Sequence, residues 1–276
     1  MPPITDFPVG ETTGQMPFVH VRDITAGMDL YERLPDTPSY YPASTVKLMT
    51  LLILRDLHSA DWTTGTVTII AADVQMPAGM NLSKAGLKTG DVLTWEQLAH
   101  ALIVPSGFDA AIAIARVIGN ELGGIGGVPR FVVEMNARAT ILGMNNSTFV
   151  DPFGGSKQGN TIRNIMSARD LSILCESVFA LDTIARSVCS QATFTTSIAG
   201  ANPRSVTWTN WIPYFSEAGT SVLCGKSGDW TYNADKSFNL TTICTMANGN
   251  EAVVTVIGSI DKLNLMLEHR WLVYIQ

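Results

Sequence analysis

The pattern of apolar and polar positions changes period twice along the chain. Alternation with a period of two predicts short strands at residues 18–22 and 28–31, joined by the turn Thr25-Ala26-Gly27. After Pro42 the alternation gives way to a continuous apolar run, Leu48 to Leu54, with Ser44 and Lys47 at its head. A run apolar on every side predicts a buried helix. A further strand fits residues 66–70. Helical periodicity then dominates: Thr94-Trp95-Glu96-Gln97 is a capping box ahead of an apolar stretch that Pro105 ends, and a second helix runs from Asp109 to Gly119. Helices are also predicted over 128–142, 167–180 and 181–188, the first after a glycine-rich link at 123–127. From Thr193 the strand pattern returns, with candidates at 205–209, 221–226, 238–246 and 252–258. The last two bracket the hairpin turn Asn248-Gly249, and a terminal helix is predicted over 261–273.

Strands at both ends with helices between them predict an α+β fold: an antiparallel sheet closed by the two termini, flanked by helices, with an inserted helical lobe. Residues 1–276 read as a single domain, with a sheet lobe at about 1–75 and 193–276 and a helical lobe at about 76–192. Neither an internal repeat nor a low-complexity segment is visible.

Composition narrows the function classes. Hydrophobic content of 46% against 15% charged residues is that of a compact globular chain. The net charge of −6, with no Lys/Arg cluster, argues against nucleic acid as a partner. No segment reaches the roughly 18 consecutive apolar residues of a membrane span. No glycine loop of the dinucleotide or P-loop type is present, and no cofactor is expected. Residues 1–10 carry three prolines and no basic n-region, so they do not form a signal peptide. The cysteines, Cys175, Cys189, Cys224 and Cys244, match no zinc spacing, and no metal is expected. Cys224 and Cys244 flank a hairpin centred near Ala234, which would set them opposite each other across two strands. The other reading, which the burial habit of cysteine favours, is four buried free thiols.

Candidate chemistry begins at Ser44-Thr45-Val46-Lys47. A serine and a lysine three apart at a helix start share one face, roughly 5–6 Å between Cβ atoms. A serine hydroxyl needs a neighbouring base before it can attack, and a lysine on the next turn can be that base. Backbone N–H groups at a helix start favour developing negative charge. This points to an acyl-transferring serine enzyme that uses no histidine. His20, His58, His100 and His269 are scattered, and no G-x-S-x-G elbow exists. Two more segments complete a pattern: Ser106-Gly107-Phe108 in the break between two helices, and Lys226-Ser227-Gly228 on a predicted strand. Lys88-Thr89-Gly90 repeats the third segment literally, but it precedes the second and reads as a loop. Trp208, Trp211 and Tyr214 are candidates for a groove wall or for core packing.

In order, the three segments match the S-x-x-K, S-x-N and K-[ST]-G motifs of penicillin-recognising serine enzymes. With the flanks Tyr41 to Thr50 and Gly143 to Pro152, the chain resembles the D-alanyl-D-alanine carboxypeptidases, low-molecular-mass penicillin-binding proteins, over roughly residues 18–260. The resemblance implies a penicillin-binding protein/β-lactamase-like fold and a serine carboxypeptidase acting on peptidoglycan stem peptides, with β-lactams as covalent ligands of Ser44. It implies Ser44 as nucleophile, Lys47 as its base, Ser106 as proton relay, and Lys226 as a charge near that relay and the substrate carboxylate. Ser227 would bind that carboxylate and Gly228 would allow close approach. The N–H groups of Ser44 and Asp229 would form the oxyanion hole. An extracytoplasmic location is implied, with the export signal absent from this chain.

Three positions depart from the family pattern. Phe108 stands where asparagine is expected, and Asn81 and Asn145 are unranked candidates for a substitute amide. Phe153 stands where histidine is common. Lys262 stands near the position of a carboxylate-binding arginine, and a lysine does not offer the same bidentate recognition. Two alternatives stay open. One is a β-lactamase or esterase on the same fold, for which Glu134 lacks the neighbours of a deacylating glutamate. The other is a catalytically degenerate peptidoglycan- or penicillin-binding protein, for which Phe108 argues.

Overall fold

A computed structural model describes residues 17–39, 41–155, 162–180, 182–212, 222–232 and 235–262, together with Leu265 and His269. The alternating segments near the N-terminus form β1 (Phe18–Asp23) and β2 (Met28–Arg33). They join β7 (Val222–Tyr232), β8 (Asp235–Thr245) and β9 (Glu251–Ser259) in an antiparallel sheet of order β2-β1-β9-β8-β7. The two ends of the chain thus close one sheet, through the pairing of β1 with β9.

Strand β9 is buried along nearly its whole length because both faces of this sheet are covered. Val253 and Ile257 belong to the main core, whereas Ala252, Val254 and Val256 pack in a second core with Val19, Val21, Leu240 and Leu265. Leu265, Lys262 and His269 are helical, in line with the predicted terminal helix, the remainder of which lies outside the described residues.

The main core surrounds α1 (Lys47–His58), whose residues from Lys47 to Leu54 are all buried. Packed around it are α3 (Trp95–Ile103), α4 (Phe108–Glu121), α5 (Gly127–Ile141), α6 (Ala168–Phe179) and α7 (Thr183–Cys189). The capping box is present: the Thr94 hydroxyl accepts from Gln97 N, and the Gln97 side chain accepts from Thr94 N. Ser167 caps α6 by accepting from Asp170 N. Helix α6 lies on the sheet, where the Ser172 hydroxyl donates to the Thr255 hydroxyl at 2.8 Å. At its start, Arg169 donates to Asp29, Glu32 and Asp36, fastening the helix to β2 and the loop beyond it.

The structure departs from the sequence reading at several points. The helix after Pro42 starts as a 3-10 turn, Ala43–Val46, before α1 begins at Lys47. A short helix, α2 (Ala71–Val74), and a strand, β4 (Asp91–Thr94), occupy a region with no predicted element. Strand β4 pairs with β3 (Thr66–Thr68) and with β5 (Thr193–Gly200), which pairs with β6 (Arg204–Thr209). The order β3-β4-β5-β6 makes a second antiparallel sheet, with α3 to α7 inserted between β4 and β5.

The expected facing of Cys224 and Cys244 does not occur. Cys224 pairs with Ile243, and Cys244 with Val222. A register offset of one residue moves a side chain to the other face of a sheet. Cys224 accordingly lies in the main core and Cys244 in the second one. All four cysteines are free and buried, and burial raises the thiol pKa of Cys224 and Cys244 to about 12. Titration with a thiol reagent is expected to find no rapidly reacting cysteine in the native protein and four after denaturation. Fewer than four would reveal a bridge.

Candidate active site

The site forms where the 3-10 turn at the head of α1 meets the α3–α4 junction and the edge strand β7. In a 3-10 turn, side chains at i and i+3 eclipse each other. That geometry brings the Lys47 amine to 2.8 Å from Ser44 Oγ. Lys47 is buried, and its amine also donates to the Phe153 carbonyl at 2.8 Å. Desolvation and then the charge of Lys226 hold the Lys47 pKa well below that of an ordinary lysine, against smaller opposing effects of Asp151 and Asp109.

Ser106 occupies the corner left by Pro105. Its φ of +59° is unusual for a residue with a side chain. The corner directs the hydroxyl toward β7, where Lys226 Nζ donates to Ser106 Oγ at 3.0 Å and to the Ser227 carbonyl at 2.7 Å. Lys226 is also buried, and desolvation lowers its pKa to about 8. Ser44, Ser106, Ser227 and Asp229 line one cleft of about 250 Å³, together with Ser83, Trp211 and Lys262. Lys47 and Lys226 reach its floor through the serines they touch.

Close approach of β7 depends on Gly228. A Cβ there would lie 2.8 Å from the Pro42 carbonyl oxygen and 3.0 Å from the N atoms of Ser44 and Thr45. The buried Asn239 side chain secures the same junction, donating to the carbonyls of Tyr41, Pro42 and Gly228 and accepting from Gly258 N. Lys88, in the duplicate of the third motif, is exposed on the loop ahead of β4.

Phe108 and Phe153, the two aromatic departures, meet edge to face at 6.3 Å between centroids. Both are buried. Asn81 and Asn145 are exposed and are not among the residues that line the cleft. Lys262 does line the cleft, where its amine lies 2.6 Å from Asp229 Oδ2. Trp211 is 63% exposed at the rim, whereas Trp208 is buried and donates to the Ala85 carbonyl. Tyr214 lies outside the described residues.

Sequence reasoning missed Ser83, Asn239 and the role of Asp109 in placing Ser83. The Asp109 carboxylate accepts from the N–H groups of Ala85, Gly86 and Leu87, and Phe108 N donates to the Ser83 carbonyl. An acid in the first turn of a predicted helix was the available signal. Away from the cleft, His20, Asp29 and Glu32 gather ligand-type atoms, and the Arg169 guanidinium already sits among them as their cation.

Comparison with known proteins supplies a family for this geometry. A family model described as D-alanyl-D-alanine carboxypeptidase matches residues 18–260. The D-alanyl-D-alanine carboxypeptidase of Streptomyces sp. strain K15 is 35% identical over 133 residues, 48% of this chain and 45% of the relative. DacF of Bacillus subtilis is 27% identical over 145 residues, 52% of this chain and 34% of the relative. The chain thus spans less than half the length of these two curated relatives. The crystal structure of the Streptomyces K15 DD-transpeptidase superposes with a TM-score of 0.77 at 26% identity, covering 91% of this chain and 94% of that one. The D-alanyl-D-alanine carboxypeptidase of Mycobacterium tuberculosis H37Rv shares the fold, with a TM-score of 0.73 at 24% identity over 94% of this chain and 88% of that one. The fold is therefore the α+β type of the penicillin-binding proteins.

Because Gly228 is walled by backbone atoms that cannot rotate away, Gly228→Ala is expected to destabilise the protein by about 1–3 kcal/mol. Denaturant unfolding measures the loss. An unchanged midpoint would mean that β7 stands further from the serine turn.

Proposed function

The chain belongs to the D-alanyl-D-alanine carboxypeptidase family, and on that premise we propose that it is a serine carboxypeptidase removing the terminal D-alanine of peptidoglycan stem peptides. The observation that carries the reading is the pair of amine–hydroxyl contacts opening on one cleft, Lys47 with Ser44 at 2.8 Å and Lys226 with Ser106 at 3.0 Å. Residues 1–276 act in this reading as one catalytic domain.

Lys47, whose pKa burial lowers, accepts in its neutral form the Ser44 hydroxyl proton as Oγ attacks the carbonyl carbon of the penultimate D-alanine. The N–H groups of Ser44 and Asp229 receive the developing oxyanion, an interaction typically worth about 3 kcal/mol per donor. When the C–N bond breaks, the proton that Lys47 took passes to the departing amine by way of the Ser106 hydroxyl, which Lys226 holds in place. Water then attacks the Ser44 ester, releasing the shortened peptide and restoring the hydroxyl. Ser227, Lys226 and Lys262 receive the substrate's terminal carboxylate, and Gly228 lets the peptide lie along the edge of β7. A β-lactam follows the same first step and remains on Ser44 as an ester. The substrate places the protein outside the cytoplasmic membrane; among the described residues no helix is long and apolar enough to cross one.

Incubation with a fluorescent penicillin and intact-mass analysis tests the nucleophile. Wild type should gain one adduct and Ser44→Ala none, and an unmodified wild type would sink the reading. Release of D-alanine from diacetyl-Lys-D-Ala-D-Ala separates a peptidase from an acylated binder with no turnover, and rapid turnover of the drug indicates a β-lactamase. The pH dependence follows from the two lysines. A lowered Lys47 pKa makes the base available well below the ordinary lysine range, so acylation rises with pH as Lys47 loses its proton. It falls again as Lys226 loses its charge near pH 8. The acylation profile should be a bell with its alkaline limb near pH 8, and a rate still climbing at pH 10 would contradict the assignment of Lys226.

A further inference from the structure

We propose that Asp151 is a positioning residue for the Lys47 amine: it holds the Phe153 carbonyl on that amine and sets its buried carboxyl group behind it. The inference rests on the reading of Lys47 as the base. One carboxylate oxygen, Asp151 Oδ1, accepts from three successive N–H groups, Phe153 at 2.9 Å, Gly154 at 2.6 Å and Gly155 at 3.2 Å. A single acceptor holding three amides curls residues 151–155 into a nest. The Asn164 side chain fixes the entry to this nest, its oxygen accepting from Val150 N and Asp151 N.

The curled segment is fastened to α1 at two successive carbonyls. Pro152 O accepts from the Thr50 hydroxyl at 2.7 Å, and Phe153 O accepts from Lys47 Nζ at 2.8 Å. Lys47 and Thr50 stand three residues apart, on one face of the helix. At Gly154, with φ +81°, the chain runs so close to the serine turn that an added Cβ would collide with the Ala43 carbonyl. The Phe108 and Phe153 rings close the neighbouring space. The nest therefore sets the direction of the one carbonyl that Lys47 meets, and through it the direction of the amine toward Ser44.

The charged groups acting on Lys47 are Lys226 from β7, Asp109 from α4 and Asp151 from the nest. When ionised, both carboxylates favour the ammonium form, against Lys226 and burial; burial raises the pKa of Asp151 itself, against the N–H groups that it accepts from. Removing the Asp151 charge while keeping its acceptor should let Lys47 lose its proton at lower pH. Removing the acceptor should release the carbonyl.

The test is the acylation rate by a fluorescent penicillin as a function of pH. Asp151→Asn should keep the plateau rate within a few-fold and move the acid limb to lower pH by about half a unit or more. Asp151→Ala should lower the plateau rate by about tenfold or more, with little change in the concentration giving half-maximal rate. Should Asp151→Asn fail to fold by thermal unfolding, Asp151→Ser carries the same expectation, since it too keeps an uncharged acceptor. A carboxylate that only stabilised the fold would lower the melting temperature and leave the limb in place. Acylation of wild type with coincident limbs for wild type and the uncharged variant overturns this inference alone. Absence of acylation in wild type overturns it together with the functional reading.

Discussion

Withdrawing the Lys47 amine from water is the constraint on which the rest of the site depends. An ammonium in a protein interior is expensive unless a counter-charge meets it directly. The contacts Lys47 makes are with a hydroxyl and a carbonyl, neither of them charged. A second lysine, Lys226, adds repulsion from across the cleft. Both effects favour the neutral amine, which can accept a proton where an ammonium cannot. The surroundings that make the base are therefore those that remove water: the buried first two turns of α1 and the paired rings of Phe108 and Phe153.

That environment must be assembled from distant parts of the chain. The 3-10 turn and the head of α1 bring Ser44 and Lys47, the α3–α4 corner brings Ser106, and the edge strand β7 brings Lys226, Ser227 and Asp229. Asn239 clamps the third piece to the first by bonding carbonyls on both sides of the junction. Each bond gives about 1 kcal/mol net, but a buried carbonyl left without a partner costs about 1–3 kcal/mol. One fully engaged amide is thus a strong constraint on how closely β7 approaches the serine turn.

The aromatic departures from the family pattern occur together. Phe108 stands where the resemblance leads one to expect asparagine and Phe153 where it leads one to expect histidine, and the two rings pack against each other. A lone phenylalanine in a polar site would leave neighbours unsatisfied, whereas a pair makes an apolar wall that needs no partners. The rim differs in another way: Lys262 is paired with Asp229, and Trp211 stands exposed beside them. The cleft that carries these features lies in the fold shared with the Streptomyces K15 DD-transpeptidase.

Much of this protein was legible from residue order because the relevant signals are local. The Ser44–Lys47 spacing, the capping box at Thr94, the corner at Pro105 and the turn at Asn248-Gly249 each depend on a few neighbouring residues and on the helix or strand period. The motif set came from the family resemblance, and a sheet closed by the two termini from the order of strands and helices. What only the tertiary structure decided was pairing and proximity. Cys224 faces Ile243 rather than Cys244 because a one-residue offset in strand register changes faces without changing the period. Strand β4 went unread because four residues carry too little periodicity. The contact of Lys47 with Phe153 spans 106 positions and that of Asn239 with Tyr41 spans 198. Local periodicity carries no information about such contacts, because they form only when separately specified elements pack into one core.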